Sequence, residues 1–182
     1  MAKKLKLKKL AFIGGGAMGE AIIKGITGAK LMVPAAIYVG AHRQERAAYL
    51  HATYGVTGVT DNRDAVRDAD MVIIAIKPQM ADSVLSEELA RTMPPETVIV
   101  SIMGSVPIAK IVGFFPGHPV IRTMPNTPLA IGVGMTAIAP GPGVAPEVLA
   151  AANTIFSCCG ETLQIEEKDI EAVAAVSGCG PG

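Results

Sequence analysis

Tryptophan is absent from this 182-residue chain, and aromatic residues make up only 4% of it. The core must therefore be aliphatic, and the stacking platforms that hold single-stranded nucleic acid are not expected. Formal net charge is zero, which implies no global attraction to nucleic acid or to an anionic membrane. Cysteine is scarce: Cys158, Cys159 and Cys179, an odd number with two adjacent. Such spacing fits neither a disulfide framework nor a zinc site, suits a reducing compartment, and reads as small buried thiols. No run of about 18 apolar residues is free of charge or turn signals, so no membrane span is expected. The five lysines of "MAKKLKLKKLAFIGGG" precede no signal-peptide core and read as a solvated leader.

What is present is aliphatic and regularly punctuated. Half of the residues are hydrophobic, enough for one ordinary core. Strand-type segments ("LKKLAFIGG", "AAIYVG", a short "GVT", "DMVIIAIKP", "TVIVSIM", "PVIRTMP", "GVGMTAIAP", "ETLQI") alternate with helix-type ones. The helical spacing of Met18, Ala21, Ile22 and Ile26 opens that series. "RQERAAYLHATYG" ends at Gly55, "DNRDAVRDA" starts on a cap residue, and residues 79–93 read as one helix stopped by Pro94-Pro95. "PIAKIVGFF", a helix begun by Pro146, and residues 166–176 complete the set. "DMVIIAIKP" is continuously apolar, as a parallel strand covered on both faces is. The alternation predicts an α/β fold: a doubly wound, mostly parallel sheet of the Rossmann type with helices on both faces.

"FIGGGAMGEAI" carries Gly14-x-Gly16-x-x-Gly19 between a strand and a helix, the context in which that pattern binds a dinucleotide. Gly14 permits the tight turn, Gly16 lets a pyrophosphate approach, and Gly19 lets the helix pack against the strand. The helix N-terminus offers N–H groups and a favourable dipole to the anion. About 20 residues on, an NAD-preferring site carries Asp or Glu for the ribose 2′-OH. Here "YVGAHRQER" has His42, Arg43 and Arg46 and no acid before Glu45. A 2′-phosphate needs a cation and no carboxylate, so NADP(H) is preferred, with NAD(H) as the other candidate.

Ligands of such a sheet sit beyond the carboxyl ends of its strands. Those ends carry "AIKPQ", "SIMGS" and "RTMPNTP". Lys77 and Asn126 are the candidate catalytic side chains there, Asn126 in a loop stiffened by prolines. The histidines, at 42, 51 and 118, lie in unrelated contexts, and no metal cluster or Ser-His-Asp set is discernible.

"RTMPNTP", together with "FIGGGAMG", "AIKPQ" and the terminal "AVSGCGPG", resembles pyrroline-5-carboxylate reductase over the whole chain. The glycine loop is shared with 6-phosphogluconate-type and hydroxyisobutyrate-type dehydrogenases. "MPNTP" followed about 50 residues later by a "SGSGP"-like turn is far more specific. The resemblance implies NAD(P)H-dependent reduction of 1-pyrroline-5-carboxylate to proline, in the cytoplasm. It implies a cofactor site formed by Ile13, Gly14, Gly15, Gly16, Ala17, Met18 and Gly19, and by Gly40, Ala41, His42, Arg43 and Asn62. Ala75, Ile76, Lys77 and Pro78, with Ile102, Met103 and Gly104, would line the rest of that channel. Substrate carboxylate would be held by backbone N–H groups of Ser177, Gly178, Cys179, Gly180 and Pro181's turn, consistent with what Gly-rich backbone at a helix start offers a small anion.

The chain departs from that family at three places. Cys179 stands where the family usually has Ser. Met103, larger than usual, is expected to reshape the nicotinamide pocket. The family continues into an all-helical dimerisation domain that is missing here. Residues 1–176 are thus expected to be the dinucleotide-binding domain and 177–182 the start of the helical one, with a homo-oligomer expected for the full-length protein. Other readings are another NADP-linked reductase, of the 6-phosphogluconate/hydroxyacid or deazaflavin type, and a non-catalytic NADP(H)-binding module.

Overall fold

The computed structural model describes residues 5–179, with side chains through Val176. Eight strands form one sheet: β1 Leu10–Ile13, β2 Ile37–Gly40, β3 Thr57–Val59, β4 Met71–Ile74, β5 Val98–Ser101, β6 Val120–Pro125, β7 Gly134–Pro140 and β8 Gly160–Gln164. Their spatial order is β3-β2-β1-β4-β5-β6-β7-β8. All neighbours are parallel except β6 and β7. The order turns back between β1 and β4, which is where a doubly wound sheet opens a crevice at its carboxyl edge.

The helices are α1 Ala17–Gly28, α2 Gln44–Tyr54, α3 Asn62–Val66, α4 Ala81–Val84, α5 Glu87–Ala90, α6 Ile108–Phe114, α7 Pro146–Ser157 and α8 Ile170–Val173. The strand period of two divides the core into two layers. Leu10 and Phe12 of β1, with Met71 and Ile73 of β4, pack with Ile22, Ile23 and Ile26 of α1, Leu50 of α2, and Ile155 and Phe156 of α7. Ala11 and Ile13, with Val72 and Ile74, pack the other way, against Val66 of α3, Ala81 of α4, Leu89 of α5 and Ile111 of α6. The three isoleucines of α1 are fully buried, each contributing about 1.5–3 kcal/mol. α2 stops where Gly55 takes φ +72°, its N–H reaching His51 O; a left-handed residue at that place suits glycine.

Two segments differ from the sequence reading, residues 79–93 and the last helix. Residues 79–93 do not form one helix. Leu85 is extended, and the Ser86 side chain accepts from Leu89 N at 3.2 Å, starting α5 afresh. Between β6 and β7, where the sequence reading also placed no helix, a 3-10 turn, Thr127–Ile131, joins the strands. Prolines in "MPNTP" keep that connection short, and a short connection makes neighbouring strands antiparallel. The last helix begins as a 3-10 turn, Glu167–Asp169, and continues past α8 as a π turn, Ala174–Cys179. Among the described residues no helix is long and apolar enough to cross a membrane.

Candidate functional site

A cleft of about 440 Å³ opens where β1 and β4 part. Gly14, Gly15 and Gly16 form its floor. Gly40, His42, Arg43 and Asn62 line the side below β2 and β3, and Ala75, Ile76 and Lys77 the side above β4. The sequence motifs thus meet in one place.

The glycine roles separate cleanly. Gly14 has φ +103°, and a Cβ there would lie 2.6 Å from the Ala75 carbonyl oxygen. Its N–H is spent on Gly40 O at 3.0 Å, while Ala75 N donates to Ile13 O at 2.8 Å. Gly19 is held by packing: a Cβ would come within 2.8 Å of Gly14 O and 3.3 Å of Ala75 Cβ. Gly16, the N-cap of α1, is exposed, and a Cβ on it would meet nothing within 4 Å. No protein atom demands a glycine at 16; a ligand that needs close backbone approach does. The first intrahelical bond runs from Glu20 N to Gly16 O at 2.9 Å, so the N–H groups of Ala17, Met18 and Gly19 lie in the turn that faces an incoming anion.

Charge in the cleft has one sign. Arg43, Arg46 and Lys77 line it, with His42, and no carboxylate does so among the described residues. Arg43, at the N-cap of α2, is exposed and has no ion-pair partner among the described residues. Arg46 is already engaged, which narrows the sequence proposal for its role. Its Nε donates to Gly15 O at 2.6 Å and its Nη2 pairs with Glu20 Oε2. Glu20 also accepts from Tyr54 at 2.8 Å and from Tyr49 at 3.1 Å. This cluster ties α2 to the glycine loop. Burial pushes the Glu20 carboxyl up, but donors from Arg46, Tyr54 and Tyr49 outweigh it and leave it lowered from 4.5. Burial and the Glu20 bond push Tyr54 up to about 12.

A carboxyl lowered by folding contributes stability that is full above its ordinary value and fades as pH falls through the lowered one. Glu20→Gln is therefore expected to unfold at lower temperature than the parent at pH 7, with the gap closing as pH drops below 4.5. Thermal melts across that range measure it, and a gap that widens in acid contradicts the assignment.

Other sequence candidates fall outside the cleft lining. Ile13 is fully buried in the second core layer, so only its backbone faces the loop. Met18 packs against the first layer, and Pro78 begins a 3-10 turn after Lys77. Ile102 packs against the first layer, and Met103 is 1% exposed within the second. The extra size of Met103 is absorbed by the core rather than by the cleft. The Asn126 side chain accepts from Met135 N at 2.9 Å, closing the β6–β7 connection. His51 and His118 bond to Val56 O and Thr97 O at 2.8 and 3.0 Å. Ser177, Gly178 and Cys179 belong to the π turn after α8, and Gly180 and Pro181 lie outside the described residues.

One residue the sequence reading passed over proves central. Arg122, in β6, is 1% exposed and heads the largest fully buried side chains. It donates to Gly104 O, to Glu171 Oε1 at 2.7 Å and to Glu167 Oε1 at 3.3 Å. Glu167 also accepts from Ile108 N at 2.6 Å, at the start of α6. Arg122 thereby joins the end of β5 to α8. Its signal in the sequence was a charge inside the apolar strand "PVIRTMP", since a buried charge needs partners.

A doubly wound sheet with a glycine loop opening α1 at its switch point defines a dinucleotide-binding protein of the Rossmann class. Residues 9–105 match the sequence pattern of the family described as "NADP oxidoreductase coenzyme F420-dependent", and the chain belongs to that family. It is similar over 95% of its length to pyrroline-5-carboxylate reductase of Synechocystis sp., at 40% identity, covering 64% of that protein. The enzyme of the same name from Corynebacterium melassecola is 38% identical, over 94% of this chain and 64% of its own length. The chain thus spans just under two thirds of these curated relatives. Among solved structures, a pyrroline-5-carboxylate reductase from Coxiella burnetii superposes with a TM-score of 0.89 at 28% identity, covering 96% of this chain and 65% of that one. Prephenate dehydrogenase from A. aeolicus, at 11% identity, TM-score 0.77, and coverage of 94% and 64%, shares the fold alone.

Proposed function

We propose that this chain is the dinucleotide-binding part of a pyrroline-5-carboxylate reductase that uses NADP(H). The observation that carries the proposal is the cleft over Gly14–Gly16, lined by Arg43, Arg46 and Lys77 and by no carboxylate among the described residues. The relatives' shared name supplies the substrate. A Plasmodium falciparum pyrroline carboxylate reductase, 27% identical with a TM-score of 0.82 over 98% of this chain and 64% of that one, has NADP bound.

On this reading the start of α1 holds the pyrophosphate and Arg43 meets the 2′-phosphate. Arg46 and Glu20 keep the loop in shape. Bound there, NADPH would supply a hydride to the imine carbon, which accepts it best with the ring nitrogen already protonated, giving proline and NADP+. The protein's share is to place the imine over the carboxyl edge and to exclude water. Lys77 stands at that edge, where its ammonium adds positive potential. The backbone of 177–181 is proposed to hold the substrate carboxylate, residues 1–176 to form the cofactor domain, and the full-length protein to be a cytoplasmic homo-oligomer.

Substrate turnover by the gene product that carries this chain tests the reading. Activity on pyrroline-5-carboxylate with NADPH is expected; activity on reduced deazaflavin instead, which the family description favours, overturns it. For the cofactor, Arg43→Glu is expected to weaken NADPH at least about tenfold, the worth of one charge-assisted phosphate contact, and to leave NADH little changed. Fluorescence titration of both cofactors measures this, and unchanged NADPH affinity contradicts the phosphate contact.

A further inference from the structure

The adjacent cysteines 158 and 159 take no part in the dinucleotide cleft. Cys158 caps the C-terminal end of α7, and β8 begins directly after Cys159. Their sulfurs lie 3.6 Å apart. Both line a separate cavity of about 230 Å³, whose other walls include Lys24 and Gly25 of α1 and Leu129. Cys159 is buried and Cys158 half-buried. α1 packs closely over the sulfurs: Gly25 faces them without a side chain, and a Cβ on it would lie 3.0 Å from Cys158 Sγ and overlap Cys159 Sγ.

Pairing these sulfurs with each other is unfavourable. Neighbouring Cα atoms across a trans peptide are about 3.8 Å apart, whereas disulfides span about 4.4–6.8 Å. A soft centre that bonds both sulfurs near their present spacing needs no such distortion. Metals with larger ligand sets do not fit, because among the described residues no group of three or more His, Cys, Asp or Glu gathers. The pair is also primed. The Cys158 S–H donates to Ile155 O at 2.8 Å, and contact between the two sulfurs leaves the Cys159 thiol below its ordinary value while the same contact and burial push Cys158 up.

We propose that Cys158 and Cys159 form a dithiol site for a thiophilic centre that takes two sulfurs, the trivalent organoarsenicals being its ligand class. With an arsine oxide, two arsenic–sulfur bonds form and the arsenic–oxygen double bond breaks. Oxygen leaves as water with both thiol protons, arsenic stays trivalent, and nothing is oxidised. The site is independent of the reductase reading.

Phenylarsine oxide and intact-mass analysis of the chain test it. One adduct per chain is expected, retained in excess 2-mercaptoethanol and removed by 2,3-dimercaptopropanol. Cys179→Ser is expected to keep the adduct. Cys158→Ser, at the half-buried position and checked for an unchanged melt, is expected to lower its retention at least tenfold. An adduct that survives in Cys158→Ser, washes off with the monothiol, disappears in Cys179→Ser or never forms overturns the proposal.

Discussion

Replacing Gly14 by alanine is expected to lower the melting temperature by about 6–12 °C and to abolish measurable NADPH binding. Two costs combine. At φ +103° an L side chain is strained, by about 1–3 kcal/mol. The new Cβ must also clear the Ala75 carbonyl oxygen at 2.6 Å and the Ala75 carbon and Ile76 Cγ2 at 2.9 Å. Ala75 is backbone at the end of a buried strand, so relief comes only by moving the loop away from β4. A total near 3 kcal/mol corresponds to the stated shift for a domain of this size. Gly16→Ala separates fold from ligand, since its Cβ meets no protein atom. Its melt is expected to stay within about 0.5 kcal/mol of the parent, while NADPH binding weakens at least about tenfold. Melting curves and fluorescence titrations on both variants decide the matter. Undiminished NADPH affinity in Gly16→Ala would move the pyrophosphate away from the start of α1.

Such a contrast was partly legible in the sequence. Glycine spacing between a strand and a helix assigned separate reasons to Gly14, Gly16 and Gly19, and strand alternation placed the loop at the carboxyl edge. Both are local signals: a glycine turn between a strand and a helix, and apolar strand runs alternating with helical segments. The α5 start was also locally encoded, in the Ser86 cap of "SEEL" after Leu85, yet residues 79–93 read as one helix stopped by Pro94-Pro95. What lay beyond reach were contacts between distant residues. Arg46 read as a free cation for phosphate because Glu20, 26 residues away, and the Gly15 carbonyl meet it only in the folded chain. Asn126 read as catalytic because a polar residue between prolines at a strand end is a fair site candidate; its bond to Met135 N depends on the β6–β7 hairpin. Antiparallel pairing of those strands follows from a short connection; the sequence reading placed no helix between them but did not carry that through to strand direction.

Arg122 carries the other large expected effect, and it is the furthest of these contacts from local sequence: its carboxylate partners lie 45 and 49 residues on. Arg122→Met keeps most of the volume but removes the cation and its fork of donors. The Gly104 carbonyl then loses its donor, and Glu167 and Glu171 face each other without the charge between them. Stranding a buried charge costs about 3–5 kcal/mol; here the carboxylates left behind are 35% and 66% exposed and can hydrate, so the cost lies below that range and falls mainly on the Gly104 carbonyl. Loss is expected to concentrate in α8, whose hydrogen exchange at Ile170–Val173 should quicken at least about tenfold, while the glycine loop and NADPH affinity change less than about threefold. Glu171→Gln keeps an acceptor oxygen and is expected to shift the melt by less than half as much. Arg122 holds the Glu171 carboxyl below its ordinary 4.5 against a small opposing effect of burial, so this part of the stability is present above that value and is lost as pH falls through the lowered one. The parent's advantage over Arg122→Met should therefore shrink in acid. Because α8 leads straight into residues 174–179, the same variant is expected to lose turnover in the full enzyme chiefly through substrate KM. Equal protection of α8 in parent and variant, with substrate KM unmoved, would show that Arg122 does not dock the last helix.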